Sequence, residues 1–509
     1  MNFLSDLDYK IFYYYNDTHL LYLPRTSALF KIDTLFKEIL EKGSKMPEEA
    51  LRRKLYRRFG KARVEESMDE LRSVDNGGLL CNIKKEGSFM RPERKNDFQR
   101  MEIHLSNDCN MACSYCFAKG GKYGLNLCCK KMNWHTARKT IEWFIKLNKD
   151  RKEALSIQFF GGEPLLNIGV LEKTLSLIRR KSDAGQFPFI QLQISTNGTL
   201  LTDNAIRILA KYNCIPWVSL DATKSSHNKR RVYKDGRGTY DDVLAGIKRL
   251  KRMAPELPVV LCPTFDKDDS VDVIDKLQQD LKIEQLNVKF EFSLYNCSNT
   301  RKRDFDSMLK KFWENMNRIL SAHLEKGMPL EILSDYRFFH LHVGRDTYSG
   351  CGAGRNRIAV DAEGDIFICS VGMGEKTGIG NVQSGLNPGY KDLFDNAYGK
   401  LNDRTKDCVN CWARRLCNGP CLLSDDKASA VDGLNRICDY SRFQNEFYLK
   451  SYASIRQEDA KRIFGVNKRT EKVLKKIDLL YCLRDLRNKN LRHIEYVTPI
   501  LSPIKPAFN

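Results

Sequence analysis

Between residues 98 and 293 short apolar runs alternate with longer amphipathic stretches, and this alternation restricts the fold more than any other feature of the chain. The apolar runs fall at 100–105, 155–160, 189–194, 215–220, 257–264 and 286–293, each of strand length. Stretches of helical period lie between them at 135–147, 166–181, 202–211, 240–253 and 268–281. Strands joined by helical crossovers pair in parallel, with the helices outside the sheet. Six strands are too few to close an eight-stranded barrel, so an α/β fold with an open or partial (β/α)6 barrel is expected. In such sheets ligands gather beyond the carboxyl ends of the strands. Cys109 follows the first run, Gly161 the second and Thr196 the third, which sets three candidate binding segments on one rim.

The first of these, Cys109-Asn-Met-Ala-Cys113-Ser-Tyr-Cys116, offers three thiolates. At this spacing they can hold three irons of a [4Fe–4S] cluster and leave the fourth to a ligand that is not protein. A zinc knuckle, or three unconnected thiols, is the plainer reading. Gly161-Gly162-Glu163-Pro164 combines two residues that let backbone approach a ligand with a carboxylate that can accept from an ammonium group. A simple turn would use the same residues. Ser195-Thr196-Asn197 ends the third run with hydroxyl and amide groups, and Ser219 ends the fourth. Arg231, with Arg230 as its competitor, lies in a basic loop after His227 and ahead of Gly236-Arg-Gly238-Thr-Tyr240.

A second thiol set comprises Cys351, Cys369, Cys408, Cys411, Cys417, Cys421 and Cys438. Zinc needs only sets of four. Seventeen Cys in a chain of 509 residues point to metal rather than to the disulfides of a small secreted domain. No apolar run approaches the ~20 residues of a membrane span. The first residues lack the basic start and apolar core of a signal peptide, so a cytoplasmic protein with no membrane partner is expected. Lys and Arg exceed Asp and Glu by 85 − 64 = 21, which favours an acidic or polyanionic partner. No recognisable RNA-binding motif accompanies that charge, so nucleic acid is not the expected partner.

At the N-terminus, residues 9–15 and 18–23 read as a hairpin about Asn16-Asp17. Ser27 is then expected to cap a helix carrying Leu29, Ile32, Leu35, Ile39 and Leu40, followed by helices at 47–59 and 63–73. Beyond 440 a basic helical segment runs to about 490, with cladding of the Cys-rich region as its expected role.

The Cys triad with Tyr115, the Gly-Gly-Glu-Pro run and the His227-to-Arg231 stretch together resemble radical S-adenosylmethionine (SAM) enzymes. The resemblance implies that the open iron chelates SAM and that one electron cleaves it to a 5′-deoxyadenosyl radical. It also implies SAM contacts from Tyr115, Phe117, Gly161, Gly162, Glu163, Pro164, Ser195, Thr196, Asn197, Ser219 and Arg231, with no catalytic residue assigned beyond the cluster. The second Cys set resembles the SPASM extension of that family, which implies two auxiliary [4Fe–4S] clusters and three in all. Cys408, Cys411, Cys417 and Cys438 would fully ligate one, and Cys351, Cys369 and Cys421 the other. That second cluster either keeps an open iron or takes Cys297 as a further ligand. Ser370 stands where sulfatase-maturing relatives carry an Asp base.

The N-terminal unit resembles the leader-recognition modules of ribosomal-peptide maturases, a generic winged-helix interaction domain being the other reading. Cys116-Phe-Ala-Lys-Gly-Gly-Lys-Tyr123 resembles thioether-forming maturases. The division expected is 1–92 leader recognition, 93–300 radical SAM core, 301–345 helical bridge, 346–440 SPASM domain and 441–509 basic extension. The partners implied are a precursor peptide bound through its leader and a flavodoxin or ferredoxin reductant. The activity implied is formation of a Cys thioether. Carbon–carbon crosslinking, epimerisation with Cys128, Cys129, Cys214 or Cys262 as hydrogen donor, sulfatase maturation and RNA modification are the alternatives.

Overall fold

The computed structural model describes residues 9–24, 28–76, 98–116, 118–121, 130–151, 153–186, 189–265, 271–283, 285–286, 289–290, 352–373, 377–392, 411–414, 416–417, 431–455 and 494–496, with single residues at 307, 310 and 314. Phe117, Cys128, Cys129, Cys297, Cys351, Cys408 and Cys421 lie outside this set.

Three strands open the chain: β1 (Lys10–Tyr15), β2 (Thr18–Leu23) and β3 (Ala28–Ile32). The turn between β1 and β2 holds Asn16 and Asp17 at φ 41° and 60°, as a primed hairpin turn requires. Helices α1 (Thr34–Gly43), α2 (Glu48–Phe59) and α3 (Lys61–Asn76) follow. The helix expected from Ser27 is therefore corrected, because Leu29 and Ile32 belong to β3. Residues 28–32 pair along β2, and the helix begins only where the Asp33 side chain accepts from the Phe36 backbone N–H. Helical spacing of apolar residues across 29–40 had merged a strand with the helix after it.

The central sheet bears out the alternation. Strands β4 (Arg100–Ser106), β5 (Leu155–Gly161), β6 (Ile190–Thr196), β7 (Cys214–Val218) and β8 (Val260–Leu261) pair in parallel in that order. A further short pair forms between β9 (Thr264–Phe265) and β11 (Lys289–Phe290), while β10 (Gln285–Leu286) extends the main sheet beyond β8. Helices α4 (Trp134–Leu147), α5 (Ile168–Asp183), α6 (Asp203–Lys211) and α8 (Tyr240–Met253) supply crossovers, with a short α7 (Lys224–Arg230) between the last two. Met101, Ile103, Leu105, Ile157, Phe159, Leu192, Ile194 and Val218 enter the main core. The pleat then turns Glu102, His104 and Ser106 to the other face.

The Cys-rich region continues this sheet. β12 (Arg357–Val360) pairs in parallel with β4, and β13 (Asp365–Phe367), β14 (Gly378–Asn381) and β15 (Gly385–Leu386) follow antiparallel. Cys369 thus emerges from a strand two places from the one that leads to Cys109. The N-terminal sheet is anchored here as well. Phe12, Leu20, Tyr22 and Leu29 join the main core, and Trp412 meets the Phe12 ring edge-on at 4.9 Å. The helix Val431–Ser454 packs against β3. Strand β16 (Ile494–Tyr496) returns to pair antiparallel with β3. The expected cladding role for the C-terminal segment therefore needs extending, since part of it completes the N-terminal sheet. Among the described residues no helix is long and apolar enough to cross a membrane.

Candidate active site

The Cys triad sits in the loop that leaves β4. Cys109 is buried, and Cys113 and Cys116 are half-buried. The Met111 backbone N–H donates to Cys109 Sγ at 3.4 Å, and the Gly120 N–H donates to Cys116 Sγ at 3.4 Å. Cys116 N bonds Cys113 O at 3.2 Å, closing the turn that sets the last two thiols side by side. Burial pushes the Cys109 thiol up to about 12 and the Cys113 thiol up to about 11. A metal would have to displace both protons. Sulfurs gathered in one loop and already receiving backbone N–H groups fit an iron–sulfur cluster.

Gly161 and Gly162 let two stretches of backbone meet. A Cβ at Gly161, whose φ is 134°, would lie 2.3 Å from Ser106 O, and one at Gly162 would lie 2.3 Å from Asp108 O. The close approach these glycines allow is of β5 to the Cys loop itself. Their amides complete it: Gly162 N bonds Ser106 O at 2.8 Å, and Glu163 N bonds Asp108 O at 2.9 Å.

Glu163 is wholly buried. Its carboxylate accepts from Leu165 N at 3.0 Å, Thr196 Oγ1 at 2.8 Å and Asn197 N at 2.7 Å. Burial pushes its pKa up to about 7. Pro164 opens the short helical turn after it. Asn197 links the third segment to the first, its Nδ2 lying 2.8 Å from Asn110 Oδ1 and 3.8 Å from Cys109 Sγ. Ser195 Oγ accepts from Gln158 at 2.6 Å, and Ser219 N bonds Thr196 O at 3.1 Å. The expected segments do meet on one rim.

Arg231 is buried and forks onto Asp221 at 3.0 and 3.2 Å, with Thr264 Oγ1 at 3.2 Å. Its guanidinium lies 5.1 Å from the Tyr115 ring centroid. Burial raises the Asp221 carboxyl, and the Arg231 charge outweighs this and holds it below the usual range. Arg230 bonds the carbonyls of Ser226 and Thr264, and its Nη2 lies 3.6 Å from Asp221 Oδ2. Of the two, Arg231 is the one stacked beside the Cys triad.

Cys369 is buried at the end of β13. Phe367 and Met373, on either side of it, share an apolar cluster with Ala118, Ala359 and Cys116. Cys116 therefore packs against the residues that flank Cys369. Cys411, Cys417 and Cys438 are half-buried. Arg442 hydrogen-bonds Cys411 and lies in electrostatic reach of Cys438. Cys214, by contrast, is fully buried in the outer core, as a structural thiol is.

The sequence reading missed Glu102, His104 and Arg442. Ser370 Oγ donates to Glu102 Oε2 and lies 2.8 Å from His104 Nε2. The signal was present in Glu102 and His104, which with Arg100 and Ser106 alternate with the apolar residues of β4. Arg442 lies one helical turn beyond Cys438, a spacing that needed the helix to be known.

Comparison with known proteins agrees with this geometry. Residues 103–277 match the model of the Radical SAM superfamily. Related sequences include a radical SAM cyclopropyl synthase of Paramaledivibacter caminithermalis, 23% identical over 69% of this chain and 76% of the relative. A cysteine-type anaerobic sulfatase-maturating enzyme of Clostridium perfringens is 26% identical over 66% of this chain and 93% of the relative. Among solved structures, native anSMEcpe with bound AdoMet superimposes with a TM-score of 0.56 at 19% identity, covering 74% of this chain and all of that one. The fold is that of the radical SAM proteins. Residues 103–277 therefore form a radical SAM domain, and radical SAM enzymes bind SAM and a [4Fe–4S] cluster.

Proposed function

We propose that this enzyme is a peptide maturase, acting on a ribosomally made precursor bound through its leader and forming a Cys thioether. The observation that carries the reading is the packing of Cys116 against the residues flanking Cys369. A radical generated at one constellation would lie next to the other, where a substrate thiol can be held. A solved neighbour supports a peptide substrate, since native anSMEcpe was solved with bound AdoMet and Cp18Cys peptide.

Under this reading Cys109, Cys113 and Cys116 hold the SAM cluster, which when loaded supplies the 5′-deoxyadenosyl radical. Arg231, Asn197, Ser195 and Ser219 line the SAM side, with Tyr115 and Phe117 beside the adenine. Glu163 braces Thr196 and Asn197, so the segment that meets Cys109 is set before any ligand arrives. Cys351, Cys369 and Cys421 would hold one auxiliary cluster, and Cys408, Cys411, Cys417 and Cys438 the other, for three in all. The donor chemistry fits, because a cation, Arg442, hydrogen-bonds Cys411 and lies in electrostatic reach of Cys438. Residues 1–92 form the leader-binding unit, 93–300 the core, 301–345 a bridge, 346–440 the auxiliary domain and 441–509 an extension. A flavodoxin or ferredoxin in the cytoplasm supplies the electron.

Sulfatase-type maturation is the second reading, and one contact favours it. Ser370 stands where those relatives carry an Asp base, yet its hydroxyl, one residue from Cys369, donates to the Glu102 carboxylate. A carboxylate reaches the site from β4 instead of from the auxiliary loop.

The test is mass spectrometry of a Cys-containing precursor encoded beside this gene, incubated anaerobically with reconstituted enzyme, SAM and reductant. Loss of two hydrogens with the Cys blocked to alkylation supports the thioether. Loss with the Cys still alkylatable indicates carbon–carbon crosslinking. Conversion of a Cys or Ser in a sulfatase-derived peptide to an aldehyde indicates the second reading.

A further inference from the structure

Around Cys411 and Cys417 the chain turns twice on itself. Arg414 N bonds Cys411 O at 3.1 Å, and Leu416 N and Cys417 N both bond Ala413 O at 2.9 Å. The turns sort the side chains. Cys411 and Cys417 stay half-buried, whereas Ala413 and Leu416 are buried. Leu416 belongs to the main core, and Trp412 packs against it.

What Trp412 meets there is the N-terminal sheet. Its ring takes Phe12 edge-on at 4.9 Å and Tyr22 edge-on at 6.3 Å. Phe12 lies on β1 and Tyr22 on β2, so one indole spans both strands of the hairpin. The third strand, β3, rests on the helix Val431–Ser454, which carries Cys438 and, one turn on, Arg442. Arg442 hydrogen-bonds Cys411. The sheet is thus seated on the two segments that bear Cys411, Cys417 and Cys438, and Arg442 joins those segments to each other.

A metal centre on these thiols would fix both segments at once, because ligand bonds supply order that a short turn cannot supply alone. It would fix Trp412 beneath β1 and β2 as well. Linkage makes the effect mutual, so whatever holds the sheet down favours the geometry that holds the metal.

We propose that Trp412 is a positioning residue that couples metal loading of Cys411, Cys417 and Cys438 to the seating of the N-terminal sheet. This rests on the assignment of those thiols to one auxiliary cluster and adds a regulatory consequence. A filled centre presents a seated N-terminal unit, and an empty one releases it.

Hydrogen–deuterium exchange by mass spectrometry, run anaerobically on the full-length reconstituted protein, reads the seating through amides 10–23. Iron released to a chelator reads the loading. Cys411→Ala/Cys417→Ala should lower total iron and speed exchange across 10–23 by about tenfold or more, with β4 to β6 unchanged. Trp412→Ala should speed the same exchange and also speed iron release, although it removes no thiol. Trp412→Phe, which keeps a ring against Phe12, should restore both toward wild type. Exchange in β4 to β6 separates local release from misfolding, and Trp412→Leu takes the place of Trp412→Ala if the latter loosens those strands. Faster exchange with unchanged iron release would make Trp412 an ordinary packing residue and overturn the inference. Iron loss in the double Cys variant with exchange across 10–23 unchanged would also overturn it, and would leave the ligand assignment standing. Undiminished iron in that variant would overturn the assignment and the inference together.

Discussion

His104 Nε2 lies 2.8 Å from Ser370 Oγ, joining the strand that leads to Cys109 with the residue after Cys369. Ser370 has one proton and gives it to Glu102, so His104 must donate from Nε2. The imidazole is thereby fixed in one tautomer, and burial drives its pKa down to about 3. Ser370→Ala removes the bridge and leaves buried His104 facing a methyl, while Glu102 keeps its contact with Arg357. A stability loss of about 1–3 kcal/mol is expected in chemical denaturation. A loss below about 0.5 kcal/mol would show that the bridge does not tie the two constellations together.

The same histidine sets a pH dependence. Its folded pKa lies below the ordinary 6.5, so as pH falls below 6.5 the unfolded chain takes up a proton that the folded chain refuses. Stability therefore falls through the window from 6.5 toward 3, by at most about 1.4 kcal/mol per pH unit for this group. His104→Gln should flatten that slope. An unchanged slope in urea denaturation at pH 7, 6 and 5 would assign it elsewhere, with buried His227, lowered to about 4, the next group to replace.

Gly161→Ala should be severe. The new Cβ would meet Ser106 O at 2.3 Å on a backbone at φ 134°, where L-residues are strained. A destabilisation of about 2 kcal/mol or more is expected, with iron retained by the Cys109 loop falling more than total iron. Normal thermal stability and full iron would mean that β5 need not approach that loop.

Arg231 is held by shape as well as by charge. Arg231→Lys keeps the cation but loses the fork onto Asp221 and the broad overlap with Tyr115. SAM cleavage should fall by an order of magnitude or more, and Arg230→Lys should fall less. Equal losses would remove the distinction drawn between the two arginines.

The parallel sheet was legible because apolar residues recur along each of its strands and each crossover has helical period. The rim was legible for the same reason, since Cys109, Gly161 and Thr196 close consecutive strands. What escaped was what only pairing reveals. Leu29 and Ile32 have helical spacing to Leu35, Ile39 and Leu40, yet β2 claims 28–32 as a strand. Gly161 and Gly162 look like ligand-approach glycines, and their neighbours proved to be Ser106 and Asp108. Glu102 and Ser370 are 268 residues apart, beyond the reach of any local pattern. The β16 strand is three residues long, too short to register as a period.

The most direct test of the central claim compares wild type with Cys369→Ala in one anaerobic reaction, measuring 5′-deoxyadenosine and precursor mass together. The account predicts that the variant still cleaves SAM, because Cys109, Cys113 and Cys116 are untouched, while the two-hydrogen loss from the peptide disappears. A variant that still delivers the fully modified peptide would contradict the claim that the two thiol constellations act as one site.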